Sequence, residues 1–222
     1  MKIQLQVAMV FLAGQMLAGE VVERIVAVVG SSPILLSEWN EQVRFEGLLN
    51  GRDPQSVTAD DRKAALDRLM DQALIRQQMR AGSFQPPSGA EVAARVDELR
   101  RQAAGESPEA WPAVLARHGL TESDVRDCLR AQMEVSRFVE ARFRPSVRIA
   151  PADVDRYYRE QFLPGLRRMN AEPKPLEQVR AQIEEVLTQQ QVTAQLNAWI
   201  ETLRAQAHIE IMAAAATTEK SR

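Results

Sequence analysis

Along most of this chain apolar residues recur every three or four positions, and near each end of the ordered-looking part they bunch or alternate instead. "IVAVV", Ile25 to Val29, is a run of mostly β-branched residues; "GSS" from Gly30 reads as a turn, and "PILL" from Pro33 as a second short strand. Pro33 has no N–H to give a ladder, so this strand is expected at a sheet edge or at its own beginning. In "HIEIM", Ile209 and Ile211 alternate with Glu210 as a strand should. A lone hairpin is marginal in water, so the late strand is expected to pair with the early one and tie the two ends of the chain together.

Between them the period is helical. Ser37 is expected to cap a first helix running to about Leu49, with Trp39, Val43 and Phe45 on its apolar side. Thr58 with Asp61 makes an acidic capping box for a long helix striped by Leu66, Leu69, Met70, Ala73, Leu74 and Met79, with Gly82 as its closing glycine. Ser88 with Glu91 opens a helix carrying Val92, Val96 and Leu99. Pro108 or Pro112 starts the next, and Gly119 ends it in either case. Thr121 and Asp124 begin a helix through Val125, Leu129, Met133 and Phe138 that stops before Pro145. Pro151 opens a short helix with Val154, Tyr157, Tyr158 and Phe162, and 163–175 reads as a proline- and glycine-bearing linker. Leu176 to about Ala207 is one long amphipathic helix. The fold class expected is mainly α, a multi-helix module with a small sheet made from an N-terminal hairpin and a C-terminal strand.

The first nineteen residues, "MKIQLQVAMVFLAGQMLAG", add a compartment. One early lysine, an apolar stretch from Val7 to Leu17 and small residues at Ala18 and Gly19 follow the layout of a signal peptide, and the stretch falls short of a membrane span. Cleavage after Ala18 or Gly19 is expected, leaving no stable membrane insertion. Removing Lys2 with the leader takes the net charge from −2 to −3, so no basic field points to nucleic acid. At 45% hydrophobic and 26% charged, the chain has the composition of a folded protein with a core. The last ten residues, 213–222, read as a frayed tail.

Candidate chemistry is sparse. Cys128 cannot form an internal disulfide, and its place beside Val125 and Leu129 in a helical stripe suits a small buried side chain better than a reactive thiol. His118 stands before Gly119 at a helix C-terminus, where an imidazole can satisfy terminal carbonyls; His208 begins the last strand. Neither histidine belongs to a catalytic or zinc-binding spacing, "TADD" is too short for a calcium loop, and the glycines form no phosphate-binding run. No cofactor is expected. What stands out is apolar surface: methionines at Met70, Met79, Met133 and Met169, and aromatics at Phe45, Phe84, Phe138, Phe143, Tyr157 and Phe162. Methionine adapts its shape and suits broad binding surfaces, but helical spacing alone does not tell core from groove.

The order of these pieces resembles the SurA family of periplasmic chaperones and peptidyl-prolyl isomerases. "ERIVAVVGSSPILLSEW" is similar to the family's opening hairpin and first helix, with Ser37 and Glu38 as its Ser-Glu pair. "LDRLMDQALIRQQMRAG" resembles the second helix, matching at Leu69, Asp71, Leu74, Gln77 and Gly82. "RHGLTESDVRDCLRAQMEVSRFVEARFRPSVRIAPADVDRYYRE" resembles the turn, long helix and Tyr-Tyr helix that close the N-terminal module, and "WIETLRAQAHIEI" the terminal helix and strand.

The resemblance implies a division into a leader 1–19, a helical chaperone module 20–162, a linker 163–175, a C-terminal helix and strand 176–212, and a tail 213–222. Family members usually carry parvulin isomerase domains where the linker stands here, and thirteen residues cannot hold one, since an unstapled domain takes about 40 residues or more. The resemblance therefore implies a periplasmic, ATP-independent holdase without isomerase activity. Its partners would be unfolded outer-membrane or exported proteins, held in a groove for which Phe45, Met70, Met79, Met133, Phe138, Tyr157 and Phe162 are the candidates. A degenerate prolyl isomerase and an envelope adaptor for one defined partner remain the alternatives, and oligomeric state stays open.

Overall fold

A computed structural model of the chain describes residues 23–80, 84–105, 107 and 109–212. The leader 1–19, Gly82 as helix closer, Pro108 as helix start and the tail 213–222 lie outside the described residues. The architecture is mainly helical with one three-stranded antiparallel sheet, as the hydrophobic periods predict.

Strand β1 (Ile25–Val29) turns through Gly30 into β2 (Ser32–Leu35), with Val29 opposite Ser32 and Val28 opposite Pro33. Gly30 has φ 58°, the positive value that the first position of a II′-type hairpin turn requires. An irregularity between Ile25 and Ala27 lets consecutive residues Val26 and Ala27 both reach the interior. Strand β3 (Ile209–Ile211) pairs on the other side of β1, Ile209 opposite Val29 and Ile211 opposite Ala27. The strand order β2-β1-β3 leaves Pro33 on an edge strand, as its missing donor demands. Backbone bonds from Gly30 N–H to His208 O at 2.8 Å and from Met212 N–H to Val26 O at 2.9 Å extend the join.

Helix α1 (Leu36–Leu49) follows β2 without a connecting residue. Ser37 is therefore not its cap: Leu35 holds the cap position without a side-chain bond, and Ser37 already lies in the first turn. Its amide donates instead to Glu23 Oε1 at 3.3 Å, while Leu36 N–H donates to Arg24 O at 2.7 Å. Helices α2 (Ala59–Met79), α3 (Gly89–Ala104) and α5 (Glu122–Phe143) begin with the expected reciprocal capping boxes Thr58/Asp61, Ser88/Glu91 and Thr121/Asp124. Helix α4 (Ala110–His118) starts two residues before Pro112, which sits in the first turn where a missing N–H costs nothing; left-handed Gly119 closes it.

Two broad clusters form the head of the molecule. One joins Val26, Ala27, Val29 and Ile34 of the hairpin to Trp39 and Val43 of α1 and Leu66, Leu69, Met70 and Leu74 of α2. The other joins Phe45 and Leu48 of α1 to Val96 and Leu99 of α3, Trp111 and Leu115 of α4, Val125 and Leu129 of α5, and Leu120 in the turn between α4 and α5. Helix α1 thus splits its apolar residues between two cores.

Helix α6 (Pro151–Tyr157) continues through a π turn, Tyr158–Phe162, into α7 (Leu163–Arg168). The expected linker at 163–175 is thus half helical. Pro164 and Gly165 read as breakers, yet the wider π turn covers Glu160, whose carbonyl an ordinary α-turn would drive into the Pro164 ring. Only 169–175 bridges to α8 (Leu176–Gln206), turning at Asn170 with φ 52°. Helix α8 is about 46 Å long. Its Val179 and Ile183 pack on Val154 of α6, Val192 on Val139 and Val147, and Leu203 on the hairpin core. Asp71 of α2 accepts from Arg204 Nε at 2.6 Å, and Arg144 pairs with Glu185, so charge fixes α8 at two heights as well.

Candidate functional site

Where α8 crosses α5, aromatic side chains gather at the surface. Phe138 and Phe143 of α5 lie 6.2 and 5.5 Å from the Trp199 ring of α8, and Phe84, just before α3, meets Phe138 edge-on at 6.0 Å. All four are half-buried. Arg142 lies over the Trp199 ring at 4.6 Å and over Phe143 at 5.6 Å, a cation held against π faces at the rim. Phe84 is held here because Arg137 of α5 donates to Pro86 O at 3.2 Å and pairs with Glu91, fastening the start of α3 to α5. That ion pair and the two bonds from Ser88 pull the Glu91 carboxyl down to about 2, Ser88 being the larger cause. The seam offers tilted ring faces and ring edges with one exposed cation, chemistry that suits apolar and aromatic side chains of a partner.

A second recess opens between α6 and α8. It holds about 450 Å³ and is lined by Ile149, Tyr157 and Leu187 with Asp153, Arg156, Gln161, Gln190 and Gln191. Carboxamides carry both donor and acceptor, as a peptide group does, so such a wall can pair with extended main chain while Ile149 and Leu187 cover an apolar side chain.

Of the residues expected in a groove, Phe138 lies in the aromatic seam and Tyr157 in the α6–α8 recess. Met133 is half-buried on α5. Phe162 stacks on Tyr158 at 5.9 Å and packs against the small cluster of Val154, Val179 and Ile183. Phe45, Met70 and Met79 are enclosed, at 2%, 5% and 8% exposure: Phe45 and Met70 are spent in the two head cores, and Phe45 reaches only the back of a small hollow of about 230 Å³ between α1, α2 and α5. Phe84, Phe143 and Trp199 are the seam residues that the groove reading missed: the sequence marks the two phenylalanines only as apolar surface and Trp199 as one more apolar position of the last helix. Nothing in the spacing of α8 indicates that α5 would bring two phenylalanines to Trp199. Met169, at the turn after α7, is 71% exposed and stands apart from both recesses.

Neither the cysteine nor either histidine lies in the seam or in the α6–α8 recess. Cys128 donates to Glu41 Oε1 at 3.3 Å, and burial, followed by that carboxylate's charge, pushes the thiol well above its ordinary range, so thiolate chemistry is suppressed. His118 departs from the capping role expected of it. The backbone closes the end of α4 by itself, Leu120 N–H to Leu115 O at 3.0 Å, and the imidazole turns inward to 8% exposure. His208 stays at the surface, 2.7 Å from Glu210. Among the described residues no three metal-capable side chains cluster, and no helix is long and apolar enough to cross a membrane.

Fold and recesses together define a helical module fastened by a small sheet that unites both ends of the described chain, with its open apolar surface along the last helix. The profile of the SurA-like N-terminal domain matches residues 2–139, and the chain belongs to that family. The match ends within α5, so α6 to β3, including Trp199 and the 450 Å³ recess, lie beyond it. No curated protein matches this sequence.

Proposed function

We propose that this protein is a periplasmic, ATP-independent holdase that binds unfolded outer-membrane or exported proteins. Membership of the SurA-like family supports both a chaperone role and a periplasmic setting. The observation that carries the reading furthest is the half-buried aromatic seam of Phe84, Phe138, Phe143 and Trp199, a surface complementary to the apolar side chains that unfolded chains expose. Covering such a segment draws it from the aggregating pool by mass action, and no nucleotide is consumed. The recess of carboxamides beside the seam adds contacts that any peptide backbone can make, which favours breadth over specificity. The leader 1–19 is removed on export in this reading, and binding involves no covalent or isomerisation step.

The test is light scattering from a urea-denatured outer-membrane protein diluted into buffer with the mature chain. Suppression at near-stoichiometric ratio is expected, with Trp199→Ala and Phe138→Ala together weakening it several-fold. Aggregation that proceeds unchanged sinks the holdase reading. A protease-coupled proline peptide assay runs beside it: turnover above the uncatalysed rate would show an isomerase instead.

A further inference from the structure

A larger recess, of about 540 Å³, lies in the head, between the C-terminal end of α1 with the loop after it, α3 and α4. Its size falls in the range of small-ligand sites, roughly 300 to 1,000 Å³. Its lining is more polar than apolar, and the half-buried Leu49 and Val114, backed by the buried Leu48 and Leu99, give it one apolar side. Into this recess faces His118, more than nine-tenths buried, whose ring meets no hydrogen-bond partner among the described residues. Its ring nitrogens are not among the fully buried polar atoms, so they stay open to a polar atom of a ligand lodged in the recess.

The rim sets the charge of that ligand. Arg52 is already paired with Asp61, and the Asp53 carboxylate accepts from Gln55 N–H at 2.8 Å. Arg117, exposed on α4 beside His118, has no ion pair among the described residues and is the guanidinium left for an anion. Asp53 on the same rim repels a dianion such as phosphate more strongly than a monoanion. A carboxylate also fits the guanidinium fork in a bidentate manner.

We propose that this recess binds a monocarboxylate with an apolar body, Arg117 taking the carboxylate, His118 the inner polar contact, and Leu49 and Val114 the apolar part. The C-terminal residue of a polypeptide and a free short-chain acid share this chemistry. The site is separate from the aromatic seam, and the inference stands whether or not the seam binds unfolded clients.

The test is a two-dimensional NMR titration of the full mature chain at pH 7.5, following the His118 ring with N-acetyl-leucine, N-acetyl-leucinamide and hexanoate as probes. Saturable shifts with at least one acid are expected, and at least tenfold weaker binding of the amide. Tighter binding of N-acetyl-leucine than of hexanoate marks a peptide terminus as the natural ligand, and the reverse order marks a free acid. Arg117→Ala, an exposed substitution that leaves the core intact, should weaken the tighter-binding acid at least tenfold, and Gln102→Trp at the recess wall should abolish binding. Absence of a saturable shift with either acid, equal binding of acid and amide, or an unchanged affinity in Arg117→Ala overturns the proposal.

Discussion

The head and the arm of this molecule are built to different densities. In the head, α1 lies between two enclosed clusters and contributes to both, so that Trp39, Val43, Phe45 and Leu48 all end within a few per cent of complete burial. In the arm, α6, the π turn after it and the first half of α8 meet around Val154, Val179 and Ile183, with Val139, Val147 and Val192 as a second small knot. Tyrosines 157 and 158, Phe162 and Leu187 pack around these only partly, and the 450 Å³ recess opens beside them. Elements with few buried apolar contacts open at lower free energy than a core. The difference teaches that the head supplies a fixed support, while the surface available to a partner is concentrated where α8 leaves it.

The largest effect that would test this contrast is Phe45→Ala. Removing a 2%-exposed aromatic from the centre of the head should cost about 3–5 kcal/mol and shift the whole urea transition as one step. Ile183→Ala, equally buried in the arm, should cost about 2–4 kcal/mol locally. Native-state hydrogen exchange should then show lost protection in α6 and the facing part of α8, with α1 to α4 unchanged; loss of protection across the head as well would mean that the two regions are one cooperative unit.

Deleting 208–212 removes β3 and the packing of Ile209 on the hairpin core, which should lower stability by about 1.5–3 kcal/mol, roughly one buried aliphatic side chain. An unchanged melting temperature would show that Arg204 and Leu203 hold α8 to the head without the strand.

The smallest effect is in pH. Burial, followed by the charge of Arg117, lowers the His118 pKa below its ordinary value, and Asp53 opposes only in part. The unfolded chain therefore takes up this proton first as pH falls through about 6.5. Stability should be complete above that pH, decline below it, and level off once the depressed folded value is passed. His118→Gln should flatten this portion of the profile, leaving the separate loss at lower pH that follows protonation of Glu91, Asp61 and Glu185, whose folded values are lowered. A wild-type profile flat from pH 7.5 to 5 would place the ring in water.

Much of the fold was legible because its signals are local. Three capping boxes, the positive-φ glycines at Gly30 and Gly119, and the alternation in "HIEIM" each depend on residues within one turn of each other, and each is present as read. Ser37 misled because a cap depends on what the preceding residue does, and here Leu35 ends a strand directly at the helix. Pro164 and Gly165 misled because a widened turn upstream can admit a proline that an α-turn would refuse. The candidate site was less legible. Phe138 and Tyr157 stand where a partner can reach them, whereas Phe45, Met70 and Met79, with the same spacing and side-chain type, are enclosed.

The sequence by itself determined the helices, their starts, the hairpin and the strand that closes it, since propensity, capping and hydrophobic period act over a few residues. Only the tertiary structure decided which apolar stripes were spent. An amphipathic helix demands that one face be covered, but not by what, and the choice between core and open seam rests on which other helices arrive. Phe45 met three helices and disappeared; Phe138 met Phe84 and Trp199, each half-covered, and kept an edge for a partner. His118 followed the same rule: its position predicted a helix end, and the packing of α1, α3 and α4 turned it into the inner wall of a recess.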